Sequence, residues 1–273
     1  MRYLLAVLLS FGFAFGDTVL NCIGSTTIQP IIEQIAQKYK EERSISIKAS
    51  GGGSQYAVDS LISGKIEVGM VSRDLTEQEK NAVSYVTIGY DTLAFLVNSD
   101  NPLQNISKKD LIEIYTGEIK NWKKFNTKDE KIHLLSKRLD RGTLDVFEKY
   151  TGLFHPKNQK NSDKSKMIDA SAWEAGANND MMVWVGGIVN SIGYISLGSA
   201  NTIKKHGLPI KILALEGVEP TKESIKNQSY PIKRELNLVF LKSNKEAEKF
   251  AEWMLEEYGQ NSVEKNLFIR AKK

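Results

Sequence analysis

Apolar positions along this chain alternate between two rhythms. Residues 19–23 form a short apolar run that predicts a strand. After Gly24-Ser25-Thr26-Thr27, the positions Ile28, Ile31, Ile32, Ile35, Ala36 and Tyr39 fall at helical spacing and predict an amphipathic helix over 28–42. A second strand over 44–49 alternates Ile45 and Ile47 with polar neighbours. It runs into Ser50-Gly51-Gly52-Gly53-Ser54 and a helix over 55–63. A third strand, 66–71, ends at Ser72-Arg73-Asp74, and Thr76-Glu77-Gln78-Glu79 reads as a helix start. Strand, loop and helix in repetition argue for a parallel sheet with crossover helices. In such sheets ligands sit beyond the carboxyl ends of the strands.

A run at 92–97 completes this unit, and 98–102 is the expected crossing into a second one. Ser107 caps a helix over 107–115. A strand at 132–135 leads to Ser136-Lys137-Arg138-Leu139-Asp140-Arg141-Gly142-Thr143, followed by a helix through Val146, Phe147 and Tyr150. The polar, basic stretch 155–166 reads as a solvated loop. Residues 181–189 are apolar and 192–196 predict a strand. A strand at 236–241 returns to the first unit, and a last helix over 245–258 buries Ala247, Phe250, Ala251, Met254 and Leu255. The pattern therefore predicts an α/β chain with residues 17–97 plus 236–273 in one lobe and 98–235 in the other. The four tryptophans, Trp122, Trp173, Trp184 and Trp253, are expected in the core.

Met1-Arg2-Tyr3 followed by an apolar run from Leu4 to Phe15 is too short to span a bilayer. It has the form of a secretory signal over 1–16, cut near Gly16–Asp17, which places the mature protein outside the cytoplasm. With 273 residues, 41% of them apolar, the chain can bury a sizeable core. A net charge of +4 from 37 basic and 33 acidic side chains, interspersed, gives no nucleic-acid-binding face but suits an anionic ligand. Cys22 is the only cysteine, which rules out an intrachain disulfide, and it reads as a core residue of the first strand. His133, His155 and His206 are far apart without ligand spacing, so neither a metal nor a cofactor is expected.

Candidate chemistry concentrates in the loops. A tetrahedral oxyanion gives up its water only to many fixed donors. Helix N-termini supply free N–H groups and partial positive charge, Ser and Thr add hydroxyls, and Gly allows close backbone approach. Residues 24–27, 51–54 and 141–143 each combine these features where a strand feeds a helix, and Ser72 adds a fourth point. Singly, each is an ordinary helix cap; their coincidence is the signal. A phosphatase using Ser54 or Thr143 as nucleophile would need a base within reach, and no His lies in these loops, so no catalytic residue is assigned.

Several segments resemble the phosphate-binding proteins of phosphate ABC importers, within the type II periplasmic binding protein fold. They are 24–27, 50–54, Val71-Ser72-Arg73-Asp74-Leu75-Thr76, Tyr115-Thr116-Gly117, Asn121-Trp122, Ser191-Ile192-Gly193-Tyr194-Ile195, Gly217-Val218-Glu219-Pro220, Tyr230-Pro231 and Tyr258-Gly259-Gln260. The resemblance spans almost the whole mature chain. It implies two lobes, each a mainly parallel sheet flanked by helices, hinged to close over the anion. It also implies a monomer serving an ABC permease. The ligands it implies are Ser25, Thr26, Thr27, Ser54 and Ser72 from the first lobe, with Gly142 and Thr143 from the second. The family's second-lobe loop usually reads Arg, two variable residues, then Gly-Ser-Gly-Thr. Here Arg141 stands where a Ser is expected, so either Arg138 or Arg141 fills the arginine's role. Arg73 stands where some relatives place a phosphate-selecting Asp, and it joins the candidate ligands. Asp74 and Asp140 remain as acceptors for a phosphate proton. Phosphate is the expected ligand, with sulfate, molybdate and tungstate as competitors and a non-transport anion sensor as the alternative role.

Overall fold

The computed structural model describes residues 18–158 and 163–271; the expected signal segment lies outside them. Strand β1 (Thr18–Gly24) buries Leu20 and Cys22 at alternate positions. Helix α1 (Gln29–Arg43) has Pro30 in its first turn and sinks Ile31, Ile32, Ile35 and Tyr39 into the core, at the spacing of one helix face. Next come β2 (Ile45–Gly51), α2 (Ser54–Ile62), β3 (Val68–Val71), α3 (Glu77–Ala82) and β4 (Ser84–Asp91). A capping box starts α3: Thr76 accepts from the Glu79 N–H while Glu79 accepts from the Thr76 N–H.

The chain then enters the second lobe. Its elements are β5 (Leu93–Asn98), β6 (Asn105–Ile106), α4 (Lys108–Tyr115), β7 (His133–Lys137), α5 (Gly142–Thr151), β8 (Trp173–Ala175), α6 (Asn178–Gly187), β9 (Ser191–Ser196), α7 (Leu197–Lys205), β10 (Ile210–Ile212), β11 (Ala214–Leu215) and α8 (Lys222–Lys226). Ser107 caps α4 as expected. The chain returns through β12 (Arg234–Phe240), α9 (Lys245–Trp253), α10 (Glu257–Lys265) and β13 (Ile269–Arg270).

The first lobe is a six-stranded sheet in the order β13-β4-β12-β3-β1-β2, and the second a five-stranded sheet in the order β10-β5-β9-β7-β8. The two-lobed α/β class holds, but the sheets are mixed. Parallel β2, β1 and β3 meet antiparallel β12, β4 and β13. Parallel β8, β7 and β9 meet antiparallel β5 and β10. Each lobe has its own apolar core.

Sequence and structure part at several points. The crossing lies at Thr92, not at 98–102, and β5 belongs to the second lobe. All six residues of β5 are buried, and its ladder partners β9 and β10 are there. The expected helix over 245–258 breaks at Met254–Glu256, where the Gln260 amide donates to the freed Met254 carbonyl at 2.8 Å and to Ile88 O at 3.0 Å. His155 opens the stretch read as solvated, yet it is buried; its N–H donates to Glu148 and its ring lies 3.3 Å from Glu174 Oε1. Trp122 and Trp253 are core residues, whereas Trp173 is exposed.

The return path sits beside the outward one. Asp91 and Arg234 are partners in the β4–β12 ladder, and the Thr92 hydroxyl donates to Ile232 O at 2.6 Å. These two adjacent segments are the connections between the lobes.

Candidate anion-binding site

Strands β1, β2 and β3 end side by side, so the turns after them converge. Ser25-Thr26-Thr27 curls into the start of α1, with the Ile28 and Gln29 N–H groups donating to Ser25 O. Gly53 precedes α2, whose first residue is Ser54. Ser72 follows β3. Across the cleft, Gly142 opens α5 and Asn178 opens α6. Helices α2, α5 and α6 thus begin at one place, with the turn before α1 beside them, and a helix start carries partial positive charge.

Between the lobes lies a small cavity lined by Ser25, Thr26, Thr27, Gly53, Ser54, Ser72, Lys137, Arg141, Gly142, Thr143, Gly176 and Asn178. Its hydroxyls are tied to one another. Ser25 Oγ donates to Ser72 Oγ at 2.7 Å, the Ser72 N–H donates to Ser54 Oγ at 3.1 Å, and the Thr27 N–H donates to Ser25 Oγ at 3.1 Å. Asn178 reaches over from the second lobe to donate to Thr27 Oγ1 at 3.2 Å. The lobes are in contact here. The space a Cβ on Gly53 would take lies 2.3 Å from the Asp140 carbonyl oxygen, and for Gly142 it lies 2.4 Å from Ser54 Oγ. Gly53 also sits at φ 103°, a backbone region that suits glycine.

Behind the hydroxyls stands Arg234, wholly buried. Its Nε and Nη2 donate to Asp91 Oδ2 at 3.0 and 2.6 Å. Its remaining donors reach Ser72 O at 3.1 Å, Thr143 Oγ1 at 3.2 Å and Thr27 Oγ1 at 3.4 Å. One guanidinium therefore fixes groups from two first-lobe loops and one second-lobe helix, while Asp91 balances its charge. Lys137 ends β7 with its side chain buried; Nζ donates to Ala177 O at 2.7 Å and lies 3.4 Å from Asn178 Oδ1. Burial first, then the nearby Arg141 cation, hold this amine down at about 7.

Of the residues singled out from the sequence, Ser25, Thr26, Thr27, Ser54, Ser72, Arg141, Gly142 and Thr143 share this one cavity. Arg73 and Arg138 are not among its lining residues. Arg73 is buried next door, holding both Glu79 oxygens at 2.7 Å and meeting Asp145 Oδ2 at 2.7 Å through Nε. Arg138 is exposed and pairs with Asp140 Oδ2 at 3.0 Å. Sequence reasoning did not find Lys137, Asn178, Arg234 or Asp91. Lys137 stood inside a Lys-Arg pair that reads as surface charge, and Arg234 stood in Lys233-Arg234-Glu235, which reads the same way. Larger grooves occur elsewhere, one past Tyr90, Lys204 and Lys222 and one past Lys108, Tyr150 and Lys233, but neither is lined by the 24–27, 51–54 or 141–143 loops. Among the described residues, no cluster of side chains could hold a metal ion, and no helix is long and apolar enough to cross a membrane.

Two α/β lobes with a donor-lined cavity between them define a solute-binding architecture, and the chain belongs to the PBP superfamily, whose domain matches residues 16–257. Within it, the phosphate-binding protein PstS of Borreliella burgdorferi is 28% identical over 264 residues, covering 94% of this chain and 91% of that protein. PstS of Staphylococcus epidermidis is 27% identical over 270 residues, covering 92% and 78%. Among solved structures, one from Clostridium perfringens is described as a phosphate ABC transporter substrate-binding protein with bound phosphate. It aligns at a TM-score of 0.82 with 28% identity, covering 93% of this chain and all 100% of that one. An ABC-type phosphate transport receptor from Vibrio cholerae aligns at 0.73 with 26% identity, covering 92% and 99%.

Proposed function

We propose that this protein is an extracytoplasmic solute-binding protein that captures inorganic phosphate between its lobes and hands it to the permease of an ABC importer. The observation that carries the reading is the cavity itself. Ser25, Thr26, Thr27, Ser54, Ser72 and Thr143 surround one small space at the starts of α2, α5 and α6 and the turn before α1, split between two lobes. Such a lining replaces the water of a tetrahedral oxyanion with fixed donors, and burial strengthens each bond. The relatives named for phosphate support the choice of ligand. The relatives are named as phosphate-binding or phosphate-transport proteins, which supports binding without turnover.

Titration calorimetry on the protein without residues 1–16 tests the reading. Phosphate is expected to bind at one site and to raise the melting temperature, by about 2.7 kcal/mol of added stability at a hundred times Kd. Absence of binding by phosphate, arsenate, sulfate, molybdate and tungstate would sink it.

A further inference from the structure

The lining of the cavity holds hydroxyls, amides and cations, and no carboxylate. Its neighbouring cations are not equally available. Arg234 is balanced by Asp91, and Arg73 is turned to Glu79 and Asp145. Arg141 Nε lies 3.0 Å from Asp140 Oδ1, close enough to pair in charge without the alignment of a hydrogen bond, and Arg138 holds the other oxygen of Asp140. Lys137 is different. Its two nitrogen contacts are the neutral Ala177 O and Asn178 Oδ1. The charged groups facing it are Arg141 at the start of α5, Arg234 in β12 and Asp180 in the first turn of α6, so cations predominate. Among the described residues, Lys137 has no carboxylate at ion-pair distance.

We propose that Lys137 is the charge-bearing ligand of the bound anion, and that the site selects doubly charged tetrahedral oxyanions by charge, without requiring a proton on the ligand. Sulfate therefore competes with phosphate. The inference rests on the anion-binding reading above. A buried carboxylate would accept the proton of monohydrogen phosphate and repel sulfate, which has none to give. Hydroxyls can turn either way, accepting that proton or donating to sulfate. Asp140, whose backbone carbonyl faces Gly53, is already ion-paired with both Arg138 and Arg141. Burial disfavours the Lys137 ammonium while it has no anionic partner, and a dianion in the cavity supplies one.

Calorimetry with phosphate and sulfate at neutral pH, on wild type and on Lys137→Met, Lys137→Arg and Asp140→Asn, decides the matter. A site built round a proton acceptor rejects the analogue lacking that proton by about 10⁴–10⁵-fold. Here sulfate is expected within about 100-fold of phosphate, Lys137→Met is expected to weaken both by about 100-fold, and Lys137→Arg is expected to retain most binding. Melting without anion checks folding; Met keeps the stem volume and removes the buried charge, so Lys137→Met is expected to melt no lower than wild type. Wild-type binding of neither anion would remove the phosphate reading itself. Phosphate binding with sulfate excluded about 10⁴-fold, above all if Asp140→Asn then admits sulfate, would overturn this inference alone, as would undiminished phosphate binding by Lys137→Met.

Discussion

Burial, and then the neighbouring Arg141, hold the Lys137 amine at about 7 in the folded protein against 10.5 ordinarily. Between those values the unfolded chain carries a proton that the folded one lacks. Stability therefore rises with pH across that window, and below about 7 both states are charged and the penalty is constant. We expect wild type to gain stability from pH 7 to about 9 relative to Lys137→Met, with a slope of at most roughly 1.4 kcal/mol per pH unit, read from urea melts. Equal slopes would mean that the amine titrates normally. The hydroxyls that line the cavity were legible because Ser, Thr and Gly clustered before helix starts are a local pattern. Lys137 and Arg234 were not, because their burial depends on partners distant in sequence: Ala177 for one, Asp91 for the other.

At the scale of elements, Arg73 shows how a loop that lines the cavity through Ser72 also meets the opposite lobe. Glu79, in the first turn of α3, holds the guanidinium in place on the first lobe, and Asp145, in the first turn of α5, receives it from the second. Replacing Asp145 leaves Arg73 balanced by Glu79, so the loss falls on lobe closure and not on the first lobe's own stability. Asp145→Asn is expected to speed anion release about tenfold in stopped-flow fluorescence, equivalent to roughly 1.4 kcal/mol. Lys149 and Asp74 also pair across the cleft, at 2.6 Å, but both are well exposed. Lys149→Ala is expected to change release little, since solvated pairs contribute about 0–1 kcal/mol. Element types were largely legible from periodicity, including the caps at Thr76 and Ser107. The lobe assignment of β5 was not, because a wholly apolar strand fits the middle of either sheet and only its ladder partners decide.

For the molecule as a whole, the proposed function makes binding and closure one event, because groups from both lobes share one small space. Gly142 is one point of close approach between the lobes, its missing Cβ facing Ser54 Oγ. Gly142→Ala is expected to hold the cleft ajar. Small-angle scattering should then show no compaction on adding phosphate, with affinity lowered by about 100-fold or more. Normal compaction in the variant would show that the helix start can yield. Thr143→Ala, which removes a donor but adds no bulk, is expected to bind more weakly yet still compact.

The pairing of Asp91 with Arg234 has a further consequence. Viewed along β4 and β12 alone, the protein is an antiparallel hairpin whose turn has been replaced by an entire lobe. Inserted units are tolerated where both ends of the insert emerge together, and a tight two-residue turn is all that such a hairpin requires. Deleting residues 92–233 and joining Asp91 to Arg234 through Asn-Gly should leave the six-stranded sheet as an autonomous, cooperatively melting half-protein. It would keep Ser25, Ser54 and Ser72 in register while having nothing to close against.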